Sequence, residues 1–404
     1  MGQGRALGAG TAGTPKGQRY PWPLVLAAFV GVTLVLTAVV ASVDATMGTT
    51  GNTGLHWIDG WFRFDSGWYW AITKNGYFYA PGQQSSIAFF PVFPVVTRAL
   101  VQVFGDRGAA ADVQVVGQLL ALAFGLASVL LFGRWVWDRL PRRSAVLAIA
   151  VILAYPYTLF LHGTMYADGM FLLLALSAFM LLDRRWFLAA GLVGALAVAS
   201  RPFGVAVAVG LTVRTLELLA ADDGSDGWRG VVRAIRRVRL RHTAVLLSFG
   251  GLVAWMVYLG TTFGDPLAFV KAESAPGWDQ GVGPHTWFKV AFFGALAQGH
   301  WRMGVNLGLQ ALACLLVVLL IPRVVRKLGW GYAVYTAVVI AIPILGTKDF
   351  MGAGRYALAA FPALAVGGDW LASRPRWVTV AVLSLMAVVM VVLTWYFATD
   401  REVS

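Results

Sequence analysis

An acidic residue surrounded by aromatic side chains is the first candidate for a reactive site in this sequence. Asp65 lies in residues 61–77, a stretch that also contains Trp68, Tyr69 and Tyr77. A carboxylate among aromatic rings is partly desolvated, which raises its affinity for a proton and makes it a better general base. Flat rings suit a flat ligand such as a sugar, so we assign these three residues to substrate binding. The alternative is that Asp65 only caps an interfacial helix.

A second acid, Asp168, stands close to His162 in a polar interruption between two apolar runs. Asp168 is a second candidate catalytic residue, and His162 is a candidate substrate-binding residue or proton shuttle. The alternatives are that Asp168 caps a helix and that His162 packs in the interior. Since no histidine pair has metal-ligand spacing, we predict no metal site. Two acids and a histidine still leave a divalent cation as a candidate cofactor.

Three cations have the placement expected of an anion-binding site. Arg201 and Arg355 lie at the ends of apolar runs, and Lys348 stands just before the second of them. A guanidinium at the edge of the hydrocarbon is costly unless it meets an anion. The phosphate of a lipid-linked substrate would be bound through both the charge of arginine and the fork geometry of its guanidinium. The alternative is generic contact with lipid headgroups.

The composition requires these residues to be positioned by a membrane-embedded scaffold. Hydrophobic residues make up 58% of the 404 positions and charged residues 13%, about half of the typical share for a globular protein. Soluble, disordered and disulfide-stapled folds are excluded, and the single cysteine, Cys314, cannot form an intrachain bridge. The net charge of +13 comes from cations that flank apolar runs, which is a pattern of membrane orientation and not of nucleic-acid binding.

Eleven apolar runs have the length and composition of membrane spans. The first is read as a retained anchor, although a signal peptide competes with it because small residues follow. The runs are residues 21–42, 112–132, 145–162, 169–182, 186–200, 204–219, 243–262, 306–321, 329–346, 356–371 and 377–398.

A twelfth apolar run, residues 87–104, decides the topology. It contains Pro91, Pro94 and Arg98, and the next connection carries four arginines within residues 134–143. Arginine-rich connections are typical of the cytoplasmic side. If residues 87–104 crossed the membrane, this connection would lie outside, so we predict that they do not cross. We expect it to lie on the outer surface as an amphipathic or re-entrant helix.

The resulting topology has a cytoplasmic N-terminus and an extracytoplasmic site in a multi-pass cell-membrane protein. Residues 1–21 are a flexible cytoplasmic tail, residues 22–398 form a single transmembrane domain, and residues 399–404 are a second tail. The two large outer loops are residues 43–111, which hold the Asp65 motif, and residues 263–303.

Several motifs of the sequence resemble one known family of membrane enzymes. The motif around Asp65, Asn75-Gly76-Tyr77 and residues 88–94 closely resemble the first outer loop of the GPI mannosyltransferase 2 (PIG-V) family, in its bacterial, actinomycete-type form. Residues 200–204, 264–269 and 355–362 are similar to further stretches of that family. The resemblance covers residues 57 to 362, and it departs at Ala167-Asp168, where many members have Glu or Ser-Glu.

The resemblance implies a GT-C fold, an all-α bundle of about 11 transmembrane helices with surface helices in the first outer loop. It implies a glycosyltransferase, specifically a mannosyltransferase, that uses a polyprenyl-phosphate sugar donor outside the cytoplasm. Asp65 is then the catalytic candidate and Asp168 the second acid. The acceptor, a glycolipid, glycan or protein, stays open. The rival functions are a lipid-linked-sugar transporter or flippase and a non-catalytic glycolipid-binding protein.

Overall fold

All the regular secondary structure in the described part of the chain is helical. The computed structural model describes residues 19–48, 51–104 and 109–403, so most of the predicted tail 1–21 lies outside the described residues. We number the helices in chain order. They are α1 Trp22–Met47, α2 His56–Asp59, α3 Asp65–Asn75, α4 Val92–Phe104, α5 Ala110–Trp137, α6 Arg142–Ala154, α7 Asp168–Asp183, α8 Phe187–Val198, α9 Val205–Ala221, α10 Gly227–Arg233, α11 Leu240–Thr243, α12 Gly250–Phe263, α13 Ala268–Glu273, α14 Pro284–Trp287, α15 Val290–Ala297, α16 Trp301–Leu328, α17 Trp330–Gly346, α18 Ala353–Ala359, α19 Phe361–Ala372 and α20 Arg376–Ala398.

Six helical segments are long and apolar enough to cross a membrane. They are Trp22–Met47, Ala110–Trp137, Pro202–Ala221, Leu240–Phe263, Trp301–Leu328 and Arg376–Ala398. The predicted all-α polytopic membrane fold is therefore confirmed. Each of the eleven predicted spans overlaps a helix. The helices in the other five spans are too short to meet the length criterion alone, so the count of eleven stays a prediction.

Proline explains why two of the predicted spans are broken. The run 145–162 contains α6, which ends at Ala154, and continues as a 3-10 helix from Pro156 to Leu161. The run 356–371 is divided into α18 and α19, with Pro362 in the first turn of α19. Proline cannot donate a backbone hydrogen bond and restricts the residue before it, so a helix ends or restarts there.

Ion pairs between distant segments of the described chain fall at two ends of the bundle. We call outer end the segments 48, 51–104, 109, 155–167, 199–204, 264–300, 347–352 and 399–403, and inner end the segments 138–141, 184–186, 222–239, 329 and 373–375, each with the adjoining helix ends. At the inner end Arg139 pairs with Asp183, and at the outer end Lys348 pairs with Asp279. This sorting agrees with the predicted alternation of the spans.

The apolar run 87–104 forms a short surface helix in the first outer loop. After a 3-10 turn at Ser86–Ala88, α4 buries one face, with Phe93, Thr97 and Val101 at helical spacing. The Arg98 guanidinium donates to the carbonyl oxygens of Thr73 at 2.7 Å and Ile72 at 3.0 Å, which lie in the last turn of α3. Arg98 therefore caps α3, which explains a cation in the middle of an apolar run.

The C-terminal residues after α20 are held by α16. The Asn306 side-chain amide donates to the Glu402 carbonyl oxygen at 3.0 Å, and that of Gln310 donates to the Val403 carbonyl oxygen at 3.3 Å. Val403 is buried. The predicted tail from residue 399 therefore packs against the bundle as far as residue 403.

Candidate active site

The side chain of Asp65 makes no capping hydrogen bond at the start of α3. Asp65 is the first residue of the helix, Phe64 precedes it with φ of 49°, and no side chain caps this end. The backbone N–H of Asp65 instead donates to the hydroxyl oxygen of Tyr166 at 3.1 Å. The Tyr166 hydroxyl in turn donates to the Arg63 carbonyl oxygen at 3.4 Å. The capping interpretation of Asp65 is therefore wrong, and its carboxylate is available for other partners.

Four of the residues selected from the sequence meet at the outer end. The Nη1 atom of Arg355 lies 2.7 Å from Oδ2 of Asp65 and 4.0 Å from Oδ2 of Asp168. The Nη1 atom of Arg201 lies 2.6 Å from the same oxygen of Asp168. Arg355 therefore lies between the two acids, although it is 290 positions from Asp65 in the sequence. We call these four residues the acid–arginine cluster.

Asp168 is also free of a capping role. It is the first residue of α7, and no side chain caps that helix. Its carboxylate instead binds Arg201, which precedes the 3-10 turn Pro202–Gly204 at the start of α9. The cluster therefore joins helix starts from separate parts of the bundle, and helix N-termini favour the two carboxylates.

The cluster is buried except on the side of Asp65. The side chains of Asp168, Arg201 and Arg355 are 4%, 7% and 11% exposed, whereas that of Asp65 is 27% exposed. Arg355 also lies over the ring of Tyr166, with its guanidinium carbon 5.1 Å from the ring centroid. Because buried charges are costly unless paired, the ion pairs offset the cost of burying these groups inside the fold. Asp65 is the member that a substrate can reach.

The hydrogen-bonding capacity of the cluster is only partly used within the described residues. Asp65 and Asp168 each accept hydrogen bonds through Oδ2 alone. The Nε atom of Arg355 is buried and has no hydrogen-bond partner. Carboxylate oxygens accept more than one hydrogen bond and guanidinium carries five donors. The cluster can therefore bind further polar groups without breaking its fold.

The described residues include no metal site. No three side chains of His, Cys, Asp or Glu there are placed to hold an ion. The two cluster carboxylates bind arginines, and His162 does not join them. The divalent cation considered from the sequence has no ligand set among these residues.

The three aromatic residues assigned to substrate binding lie in three different environments. Tyr69 is buried, and its hydroxyl lies within the electrostatic field of all four cluster residues. Burial raises the pKa of Tyr69 well above its ordinary value, so the hydroxyl stays protonated. Trp68 stacks on Phe89 at 5.6 Å between ring centroids. Tyr77 lies further along, 4.9 Å from the ring of Trp255.

Two predicted site residues do not join the cluster. Lys348 pairs with Asp279 at 2.6 Å and donates to the Gly277 carbonyl oxygen at 3.0 Å, within the second large outer loop. His162 faces α1, where its Nδ1 atom lies 2.7 Å from Oγ1 of Thr33 and its ring stacks on that of Phe29. Both residues lie in loops between helices, and the pattern of apolar runs does not specify the conformation of those loops.

The sequence analysis missed two residues beside the cluster. Tyr166 supports both the Asp65 backbone and the Arg355 guanidinium. Glu273 ends α13 and shares the electrostatic surroundings of Tyr356 with Asp168, Arg201 and Arg355. Burial raises the pKa of the Glu273 carboxyl to about 7. A lone acid at the end of an apolar segment was the only available signal for Glu273.

No protein-family model matches the sequence, and no curated protein is significantly similar to it. In structure the chain is similar to the oligosaccharyltransferase of Archaeoglobus fulgidus in the apo form, with 12% identity and a TM-score of 0.45 over 96% of this chain and 56% of that one. It is also similar to ArnT from Cupriavidus metallidurans in the apo state, with 14% identity and a TM-score of 0.45 over 93% of this chain and 71% of that one. The chain spans little more than half the length of the archaeal enzyme. At these TM-scores the likeness carries no argument about activity.

Proposed function

We propose that the protein is an integral membrane glycosyltransferase. It transfers a sugar, which the sequence resemblance suggests is mannose, from a polyprenyl-phosphate donor to an acceptor hydroxyl on the extracytoplasmic side. The observation that supports this proposal is the acid–arginine cluster. It combines a reachable carboxylate, a second buried acid and two guanidinium groups at one end of a membrane bundle.

The two arginines would bind the donor phosphate. The donor is a phosphodiester with one negative charge, and the departing lipid phosphate carries more charge as the bond to the sugar breaks. Guanidinium groups fixed beside that oxygen therefore stabilise the transition state more than the bound donor. Among the described residues, the buried Nε atom of Arg355 has no hydrogen-bond partner, and the Arg201 guanidinium donates a hydrogen bond only to Asp168.

The ion pair between Asp65 and Arg355 connects the base to the phosphate site. When the donor phosphate binds Arg355, it competes with Asp65 for the same guanidinium. The Asp65 carboxylate then has a free oxygen that can accept a hydrogen bond from the acceptor hydroxyl.

Asp65 would act as the general base of an inverting transfer. The acceptor oxygen attacks the anomeric carbon, its proton passes to the Asp65 carboxylate, and the bond from the anomeric carbon to the phosphate oxygen breaks. The electron pair of that bond leaves with the polyprenyl phosphate. Asp168 holds Arg201 in place through the process, and Trp68 and Tyr69 contact the sugar.

Labelled polyprenyl-phosphate mannose tests the reaction directly. Purified protein in liposomes that contain a total lipid extract is expected to move the label into a new product. Asp65→Asn is expected to fold and to lose about 10²–10⁴-fold in transfer rate. Asp138→Asn, at an exposed acid of the inner end, is the control and keeps the wild-type rate.

The same preparation separates the rival functions. Movement of the label across the liposome membrane without a new product would indicate a transporter, and binding alone would indicate a glycolipid-binding protein. Either result, or normal transfer by Asp65→Asn, would contradict the enzyme proposed here. The transporter is the weaker rival because the ion pairs lie at the two ends of the bundle, whereas transport sites lie near mid-membrane.

A further inference from the structure

A second cavity beside the cluster is lined by aromatic rings. Its volume is about 520 Å³, and it lies between the first outer loop and α12. The rings of Trp255 and Tyr258 stack at 5.3 Å with an angle of 12° between their planes, and the ring of Tyr77 lies 4.9 Å from that of Trp255. The cavity therefore presents flat aromatic surfaces to any occupant.

Two polar atoms of the cavity-lining residues have no hydrogen-bond partner among the described residues. The indole N–H of Trp255 and the hydroxyl of Tyr77 are both buried, and Trp255 is only 3% exposed. A buried donor without a partner has lost its hydrogen bond to water and gained none in return. Natural structures seldom retain such groups, so each one calls for a functional explanation.

The cavity is next to the acid–arginine cluster. Ala199 lines it, two residues before Arg201, and Ile72 lines it within α3, the helix that begins at Asp65. The hydroxyl of Tyr77 also lies in the electrostatic field of Tyr69, whose own hydroxyl is influenced by the cluster. A molecule in the cavity would therefore reach towards the reacting groups.

The chemistry of the lining selects among possible occupants. A hydrocarbon chain would leave the indole N–H and the tyrosine hydroxyl without partners. An anion would need a free cation, but Arg98, the cation that lines the cavity, already donates to two carbonyl oxygens. A sugar ring offers an apolar face for the aromatic rings and hydroxyl oxygens for the two donors.

We propose that this cavity binds an uncharged sugar residue of the acceptor. The proposal rests on the proposed function for the word acceptor, whereas the recognition of a sugar rests on the cavity itself. The acceptor would then be a membrane-anchored glycoside whose sugar ring stacks on Tyr258, which is 39% exposed, with the Tyr77 hydroxyl and the Trp255 indole N–H as hydrogen-bond partners.

Binding of radiolabelled hexyl α-D-mannopyranoside to the protein in phosphatidylcholine nanodiscs tests this proposal. The wild type is expected to bind it saturably. Trp255→Phe and Tyr77→Phe keep the aromatic rings but remove the polar atoms, so each is expected to bind about tenfold more weakly, which corresponds to about 1.4 kcal/mol. Their thermal unfolding midpoints should stay unchanged or rise, since no hydrogen bond is lost.

Trp135→Phe is the matched control. The Trp135 indole N–H donates to the Tyr332 hydroxyl at 3.1 Å near the inner end, so this variant should lower the unfolding midpoint and leave glycoside binding unchanged. Wild-type affinity in both cavity variants would overturn the proposal. So would wild-type binding of hexyl phosphate or hexane in preference to the glycoside.

Asp65→Asn separates this proposal from the enzyme itself. That variant is expected to bind the glycoside normally and to transfer no sugar. If it transfers sugar, the proposed function fails while the cavity assignment stands. If the cavity variants keep normal glycoside binding and Asp65→Asn loses transfer, the cavity assignment fails and the proposed function stands.

Discussion

Acids at the two ends of the bundle are held in different ways. At the inner end, Asp183 accepts hydrogen bonds from Arg214 at 2.9 Å, from the Tyr332 hydroxyl at 2.8 Å and from Arg139. At the outer end, Asp65 accepts one side-chain hydrogen bond within the described residues, from Arg355. Asp183 uses both of its oxygens, whereas Asp65 uses one.

The contrast separates an acid that fastens helices from one that can change partners. Asp183 joins the end of α7 to α9, to α17 and to the loop before α6. Loss of any one of these three partners would leave Asp183 held by the other two. Asp65 is more exposed and loses only one partner on exchange. We therefore expect substitutions at the inner end to change stability and those at the outer end to change activity.

After Asp65→Asn, the largest expected effect is on activity, at Arg355. Arg355→Lys keeps the positive charge but loses the fork that reaches Asp65 and Asp168. We expect the transfer rate to fall about 10²-fold, as when one donor to a developing charge is removed. The measurement is the initial rate of sugar transfer per folded molecule.

Arg63→Lys is the matched control for that variant. Arg63 is a buried arginine of the same end that pairs with Asp44 at 3.1 Å and does not join the cluster. Arg63→Lys should lower the unfolding midpoint and preserve transfer per folded molecule. Equal loss of transfer in both variants would contradict a specific role of Arg355 in the reaction.

The next effect is on stability, at Asp183. Asp183→Asn leaves Arg139 and Arg214 without a carboxylate partner at this position, so unfolding should become easier by about 3 kcal/mol. The midpoint of unfolding by detergent titration measures the change. An unchanged midpoint would show that the inner end does not depend on this acid.

A pH effect is expected from Glu273. Its carboxyl has a pKa of about 7 in the folded protein against an ordinary value of 4.5, so the folded state binds the proton more tightly. Stability should therefore be greatest below about pH 4.5, fall as the pH rises to about 7, and lose nothing more from this group above that. Glu273→Gln should flatten this part of the profile of unfolding midpoint against pH. A profile identical to that of the wild type would contradict the assignment.

The smallest effect is expected at Asp138. This acid forms an exposed pair with Arg134, four residues earlier in the chain, at 2.9 Å. Such a pair contributes less than about 0.5 kcal/mol. Asp138→Asn should therefore leave the detergent midpoint and the transfer rate nearly unchanged. A shift as large as that of Asp183→Asn would mean that pairing geometry does not distinguish the acids of this end.

The sequence was informative about which end of the bundle each polar residue occupies. Alternation of apolar runs places Asp65, Asp168, Arg201 and Arg355 at one end, and the structure brings them into contact. The reason is that polar side chains are costly in the hydrocarbon, so few positions are open to them. The prediction that residues 87–104 do not cross the membrane rested instead on the arginine-rich connection 134–143.

The sequence was not informative about which partner each residue contacts. Pairing depends on the rotation of each helix about its axis, and an apolar run without a polar stripe does not determine that rotation. The conformation of a loop is no better determined, and His162 and Lys348, which both lie in loops, contact Thr33 and Asp279. The capping role of Arg98 depends on where α3 ends, which is a boundary that periodicity predicts poorly.

Sugar transfer by Asp65→Asn and Asp183→Asn, measured side by side with labelled polyprenyl-phosphate mannose and corrected for folded protein, is the most direct test. The account predicts that Asp65→Asn is folded and at least about 10²-fold slower, and that Asp183→Asn is less stable yet transfers normally per folded molecule. Normal transfer by folded Asp65→Asn would contradict it.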